Sequence, residues 1–95
     1  MPDYTPRPID TSQVTLPPEL DALLDYLAQN VHEVWASRRL AEGWRHGPAR
    51  NDTRQEHPCL VPYDELPERE RAYDRATAGE TLRAILALGF RIERE

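Results

Sequence analysis

Two tryptophans, two arginines and a histidine are concentrated in one short segment, residues 30–44. The five side chains are those of His32, Trp35, Arg38, Arg39 and Trp44. An indole can stack a planar ring, and a guanidinium group beside it can bind a phosphate through its planar fork. Because the sequence shows no catalytic constellation, the segment indicates a binding site rather than an enzyme.

A helix over residues 17–42 is predicted to position this segment. Apolar residues recur at spacings of three and four along it, at Leu20, Leu23, Leu24, Leu27, Val31 and Val34. Pro17 and Pro18 suit the first turn, and Gly43 suits the position just after the last turn. Trp35 then lies at the edge of the apolar stripe and Arg38 lies near its centre.

The remaining sequence predicts one mainly α domain with little β structure. Within residues 1–95, an extended arm would span residues 1–16 and the long helix residues 17–42. An irregular loop would follow over 43–66, a pair of helices over 67–89 and a tail or short strand over 90–95. Prolines favour the arm, and the loop has no periodicity. Within the helical pair, Thr77 and Glu80 match a capping box that would begin the second helix, after a short one ending near Tyr73.

Composition narrows the classes of function. The chain has 95 residues, a formal net charge of −5 and 31% charged residues, which argues against non-specific nucleic-acid binding. No apolar run is long enough for a membrane span, and no secretory signal is visible. The single Cys59 cannot form an internal disulfide and predicts a reducing, cytoplasmic setting. A chain this small and polar would gain stability from burying a face against a second copy or a neighbouring domain.

The tryptophan and the arginines each have two interpretations. From its spacing alone, Trp35 is more typical of a core residue than of a stacking platform, although His32 and Arg39 lie on the same side of the helix. Residues 38–54 carry an excess of arginine over acidic residues. These arginines form either solvated pairs with the acidic C-terminal half or a pocket for an anion. Arg38, near the stripe centre, must extend to solvent, pair with a carboxylate or face a ligand.

Metal binding and catalysis are not predicted. The histidines and the cysteine, His32, His46, His57 and Cys59, match no standard zinc spacing. Nothing in the sequence activates the thiol of Cys59 as a nucleophile. The dense carboxylates of residues 64–74 alternate with arginines, which is typical of a solvated helix face. No glycine-rich loop for phosphates is present.

Several segments, in order, resemble the ryanodine receptor repeat, or RyR domain. They are Tyr-Thr-Pro-Arg-Pro-Ile-Asp-Thr-Ser-Gln-Val (4–14), Leu-Pro-Pro-Glu-Leu (16–20), Leu-Ala-Gln-Asn-Val-His-Glu-Val-Trp-Ala (27–36), Gly-Trp-Arg-His-Gly-Pro (43–48), His-Pro-Cys-Leu-Val-Pro-Tyr (57–63), Glu-Arg-Ala-Tyr-Asp (70–74) and Glu-Thr-Leu-Arg-Ala-Ile-Leu-Ala-Leu-Gly (80–89). The resemblance covers about residues 4–93. It implies a mostly helical fold in which two repeats pair about a pseudo-two-fold axis.

The resemblance also implies a site. In tandem pairs of the animal channels, the tryptophan that corresponds to Trp35 lies near the groove between repeats, where an adenine nucleotide can stack. The family's basic position shortly after it corresponds to Arg39. Bacterial members have been proposed as sensors of nucleotide-derived signals in defence systems. This chain has one repeat, so a clamp of two tryptophans would require a homodimer.

We therefore expect a helical sensor domain that binds an adenine-type nucleotide, such as ATP or a linear or cyclic ADP-ribose, at a two-fold groove. Trp35 would stack the base, and Arg38 or Arg39 would bind the phosphates. Further candidate residues are His32 on the helix and Trp44, Arg45 and Tyr63 from the loop. The alternative is a protein–protein interaction module that uses the same groove without a small-molecule ligand. No cofactor and no metal are expected.

Overall fold

The computed structural model describes residues 3–95 and confirms a mainly α fold. Its elements are α1 (Pro18–Asp21), α2 (Leu24–Ala41), β1 (Arg45–His46), β2 (Glu56–His57), a 3₁₀ helix (Tyr63–Glu65) and α3 (Glu68–Ala87). The two long helices, α2 and α3, pack against each other and form the body of the domain. Residues 1 and 2 of the predicted arm lie outside the described residues.

The predicted helix of residues 17–42 is two helices, which corrects the sequence interpretation. The break lies at Ala22 and Leu23, where the Leu23 N–H donates to the carbonyl of Leu20, three residues earlier, at 3.0 Å. This tightens the last turn of α1 and interrupts the i to i−4 ladder, which resumes when Leu27 N–H bonds to Leu23 O at 2.9 Å. No glycine or proline marks the break in the sequence.

The buried face of α2 differs from the predicted leucine stripe. Ala28 is fully buried and His32 is 5% exposed, whereas Val31 and Val34 are 39% and 45% exposed. Small residues allow the helices to approach closely: a Cβ on Gly79 of α3 would lie 3.6 Å from a methyl group of Leu24. Close packing therefore selects the face that carries alanine and histidine, and it leaves the valines on the outside.

Helix α3 is continuous, so the predicted boundary at Thr77 is wrong. A capping residue must leave the helical conformation, but Thr77 stays inside the ladder, and its carbonyl accepts a bond from the Thr81 hydroxyl at 3.0 Å. The helix begins after Pro67 and ends before Gly89.

The loop of residues 43–66 is less irregular than predicted. Strands β1 and β2 pair in parallel, with Arg45 opposite Glu56 and His46 opposite His57. The strands lie so close that a Cβ on Gly47 would be 2.6 Å from the Cβ of Glu56, which explains the glycine there. The β structure is thus in this loop, and residues 90–95 form a tail without a strand.

Candidate functional site

Trp44 is placed by the way α2 ends. Gly43 adopts a φ of 96°, which side-chain-bearing residues rarely adopt. The Gly43 N–H bonds to Leu40 O at 3.1 Å, and the Trp44 N–H bonds to Arg39 O at 2.9 Å. This is the Schellman arrangement, in which the residue after the glycine packs back on the last helical turn. Trp44 therefore lies over Arg39 and is only 9% exposed.

Arg39 connects the two tryptophans. Its guanidinium carbon lies 4.8 Å from the centre of the Trp44 ring and 6.0 Å from that of Trp35. Both distances allow cation–π attraction. The Arg39 side chain is about one third exposed, and its Nη1 lies 3.8 Å from Glu42 Oε1. Arg39 thus contacts both rings of the site while part of its side chain stays accessible to solvent.

Trp35 is half-buried and supported by two histidines. The His32 ring stacks on it with centroids 5.7 Å apart and an angle of 28° between the planes. The His57 ring meets it edge to face at 4.9 Å, and His57 also lies 6.4 Å from the ring of Trp44. His57 is therefore central to the cluster. From the sequence, His57 was a candidate only for metal binding, because the pairing of β1 with β2 that places it here has no sequence signature.

Hydrogen bonds fix the tautomers of both histidines. Because the carbonyl of Val61 can only accept, His32 Nε2 carries the proton of their 2.7 Å bond. The backbone N–H of Cys59 donates to His57 Nδ1 at 3.0 Å, so neutral His57 carries its proton on Nε2. Burial, followed by the charges of Arg50 and Arg39, lowers the pKa of His57 and favours this neutral form.

An open groove lies on the outer side of Trp35, and we call it the outer groove. Its lining residues are Val31, Val34, Trp35, Arg38, Arg39 and Glu42, and its volume is about 390 Å³. Arg38 is exposed there, and the ion pairs among residues 3–95 do not include it. The structure thus brings the predicted stacking and phosphate-binding residues to one surface.

A smaller cavity lies between α2, the loop and α3, and we call it the inner cavity. It has a volume of about 210 Å³ and is lined by His32, Trp35, His57, Cys59, Leu66, Glu70 and Asp74. Trp35 lines both this cavity and the outer groove. Burial is the main cause that raises the pKa values of Cys59 and Asp74.

Three predicted site residues have different surroundings. Tyr63 packs in the core with Ala28 and Leu66, and its hydroxyl donates to Asp25 Oδ1 at 3.2 Å. Its burial leaves little surface for a ligand and raises its pKa. His32 is buried behind Trp35 and lines the inner cavity rather than the outer groove. Arg45 is exposed on β1 and lines neither cavity.

Two further features of the described chain bear on function. No helix within residues 3–95 is both long and apolar enough to cross a bilayer. The same part of the chain contains no group of three histidine, cysteine, aspartate or glutamate side chains arranged to hold a metal ion.

The family model of the RyR domain matches residues 4–94. The match covers nearly the whole chain and includes both tryptophans, all three histidines and both long helices. The match therefore confirms the resemblance to the RyR domain over all the sequence segments that indicated it.

Proposed function

Because the chain belongs to the RyR domain family, we propose that it is a non-catalytic sensor domain that binds an adenine-type nucleotide in the outer groove. The observation that carries the proposal is the position of Trp35 in that groove, half-buried beside two arginines. ATP and linear or cyclic ADP-ribose combine a planar base with phosphates and match this pair of features. The single Cys59 is consistent with a cytoplasmic setting.

The support for base stacking is the packing around Trp35. His32 stacks against the indole, His57 contacts it edge to face, and each histidine is fixed by a backbone hydrogen bond. A ring held in this way loses little freedom when a base stacks on it. Base–aromatic stacking contributes about 1–3 kcal/mol per base.

The phosphates are assigned first to Arg38. Arg39 is already stacked on Trp44 and lies near Glu42, whereas Arg38 is exposed at the same groove. An arginine without a protein partner can present its whole guanidinium fork to a phosphate. Arg39 would add a second positive charge beside the phosphates while it stays stacked on Trp44.

A second copy of the chain would complete the groove. On the outer face of α2, Val31 and Val34 are exposed beside Trp35, and this apolar strip is continuous with the groove. In a two-fold dimer the same surface of each copy meets the other, so two Trp35 rings would enclose one ligand. We therefore propose a homodimer that pairs through the outer face of α2.

The exposed valines also favour a second candidate function. An apolar helix face can bind a partner protein without any nucleotide. In that case Trp35 would be an anchor for a partner side chain, as tryptophan and arginine often are at interfaces. A nucleotide screen separates the two functions.

The screen measures thermal stability and binding heat with ATP, ADP-ribose and cyclic ADP-ribose. A ligand at a hundred times its Kd adds about 2.7 kcal/mol to stability. We expect Trp35→Ala to weaken binding by about 1–3 kcal/mol. Arg38→Ala should weaken binding of a diphosphate ligand more than of the matching nucleoside, with a difference that shrinks as salt rises.

Arg54→Ala is the matched control, because Arg54 lies in the loop and does not line the groove. Light scattering at micromolar protein should give about twice the 11.0 kDa chain mass. A monomer at every concentration, with no nucleotide that shifts the melting temperature, would contradict the proposal. Normal nucleotide binding by Trp35→Ala would move the site away from this tryptophan.

A further inference from the structure

The outer groove ends at a carboxylate. Its polar lining follows α2 in a fixed order, with Trp35 first, then Arg38 and Arg39, and then Glu42 as the residue that caps the helix. Residues spaced by three, four and seven share one helix face, so these side chains form a single track. At about 1.5 Å per residue, the arginines lie about 5 Å and Glu42 about 10 Å beyond Trp35 along the helix axis.

The end of α2 holds the backbone of Glu42 in place. Its N–H donates to the carbonyls of Arg38 and Arg39 at 3.0 and 3.1 Å. Its own carbonyl accepts a bond from Gln55 Nε2 at 3.4 Å. The carboxylate is therefore presented from a defined position at the end of the groove.

The Glu42 carboxylate keeps its capacity to accept hydrogen bonds. Its side chain is 61% exposed, and its Oε1 lies 3.8 Å from Arg39 Nη1, which is too long for a hydrogen bond. Arg39 is stacked on Trp44, with its guanidinium carbon 4.8 Å from the ring centre. Glu42 can therefore bind a ligand without displacing Arg39 from that ring.

This order of groups restricts what can follow the phosphates of a ligand. A nucleotide with its base on Trp35 and its phosphates at Arg38 directs its far end towards Glu42. An ionised carboxylate accepts hydrogen bonds and donates none. A third phosphate would meet a like charge there, whereas the hydroxyl groups of a sugar would meet an acceptor.

We propose that Glu42 makes the outer groove selective for a linear nucleoside diphosphate esterified to a hydroxyl-bearing group, as in ADP-ribose, over a nucleoside triphosphate. The inference rests on the proposed nucleotide site and names the class of ligand that the site prefers. Glu42 accepts hydrogen bonds from the distal hydroxyls and repels a terminal phosphate. In cyclic ADP-ribose the second ribose returns to the base, so it does not reach Glu42.

Three ligands that share adenosine and a diphosphate test the selectivity. They are ADP-ribose, ATP and the β-methyl ester of ADP, which has the esterified diphosphate but no distal hydroxyls. Titration calorimetry on the full chain measures each dissociation constant. We expect ADP-ribose to bind more tightly than either of the others.

Glu42→Gln should change the affinities for ADP-ribose and ATP in opposite directions. ADP-ribose should bind about fivefold more weakly, because a neutral amide is a poorer acceptor than a carboxylate. ATP should bind about two- to fivefold more tightly, which is the scale of one exposed charge interaction, and this gain should shrink as salt rises. A misfolded variant or a displaced Arg39 would weaken both ligands together.

Glu33→Gln is the matched control. Glu33 is exposed on α2 and does not line the outer groove, so its substitution removes the same charge from the same helix. We expect it to leave the preference for ADP-ribose over ATP unchanged.

Two results would overturn the selectivity and leave the nucleotide site standing. One is binding of ATP by the parent protein at least as tight as that of ADP-ribose. The other is a Glu42→Gln variant in which both affinities shift in the same direction or stay unchanged. Binding of none of the three ligands would instead overturn the proposed function, and this inference with it.

Discussion

Helices α2 and α3 end with the same backbone arrangement and have different surroundings. Gly43 and Gly89 both adopt a φ of 96°, and the following residues, Trp44 and Phe90, each bond back to the last helical turn. Trp44 is 9% exposed, whereas Phe90 is 66% exposed. The local sequence rule therefore sets the backbone of a helix end, but it does not determine what the aromatic residue contacts.

The difference arises from the residues that cover each end. At the end of α2, Arg39 stacks on Trp44 and the loop returns with His57 at 6.4 Å from the same ring. At the end of α3, the residue equivalent to Arg39 is Ile85, which is itself partly exposed. The same type of helix end therefore forms part of a candidate site only in α2, where Arg39 and strand β2 cover it.

Truncation of the two aromatic residues should give the largest contrast. Trp44→Ala should lower the free energy of unfolding by about 3–5 kcal/mol, because it leaves a cavity beneath Arg39 and His57. Phe90→Ala should change it by less than about 0.5 kcal/mol, as expected of an exposed site. Urea unfolding of both variants measures the difference. Similar losses would mean that Phe90 is buried in solution, for example against a second copy.

Substitution of the two glycines should have smaller effects. An alanine at a positive φ costs about 1–2 kcal/mol, so Gly43→Ala and Gly89→Ala should both be destabilising. A Cβ on Gly43 would lie 3.2 Å from Gln55 Oε1, whereas a Cβ on Gly89 meets nothing within 4 Å. Gly43→Ala should therefore cost somewhat more.

Thermal melting of the two glycine variants measures this comparison. If Gly89→Ala were the more destabilising, the loop around Gln55 would have to adjust freely. The tight packing at the end of α2 would then be in question.

Local features of the sequence predicted where α2 ends better than they predicted which face of α2 is buried. Gly43 and the arginines before it predicted where α2 stops, because capping depends on neighbouring residues alone. The buried face of α2 was not predicted, because it depends on close approach at Gly79 of α3 and not on the position of leucines and valines. His57 was missed as a contact of Trp35, since two-residue parallel strands leave no periodic pattern.

The smallest effect is expected from pH, through His57 beside the end of α2. The folded-state pKa of His57 lies below its ordinary value of 6.5, so the unfolded chain binds the proton more tightly. Its contribution to stability is therefore present above about pH 6.5 and is lost as the pH falls through the folded-state pKa. Protonation at Nδ1 would also break the bond from the Cys59 N–H.

The raised pKa of Asp74 acts in the opposite direction, because its contribution to stability is lost as the pH rises through its folded-state pKa. The test is therefore made in an Asp74→Asn background, which removes this opposing effect. Between about pH 7 and pH 5, the melting temperature should fall less for His57→Gln than for His46→Gln. His46 is the control because it is exposed. Equal falls in the two variants would show that His57 is not held neutral between the tryptophans.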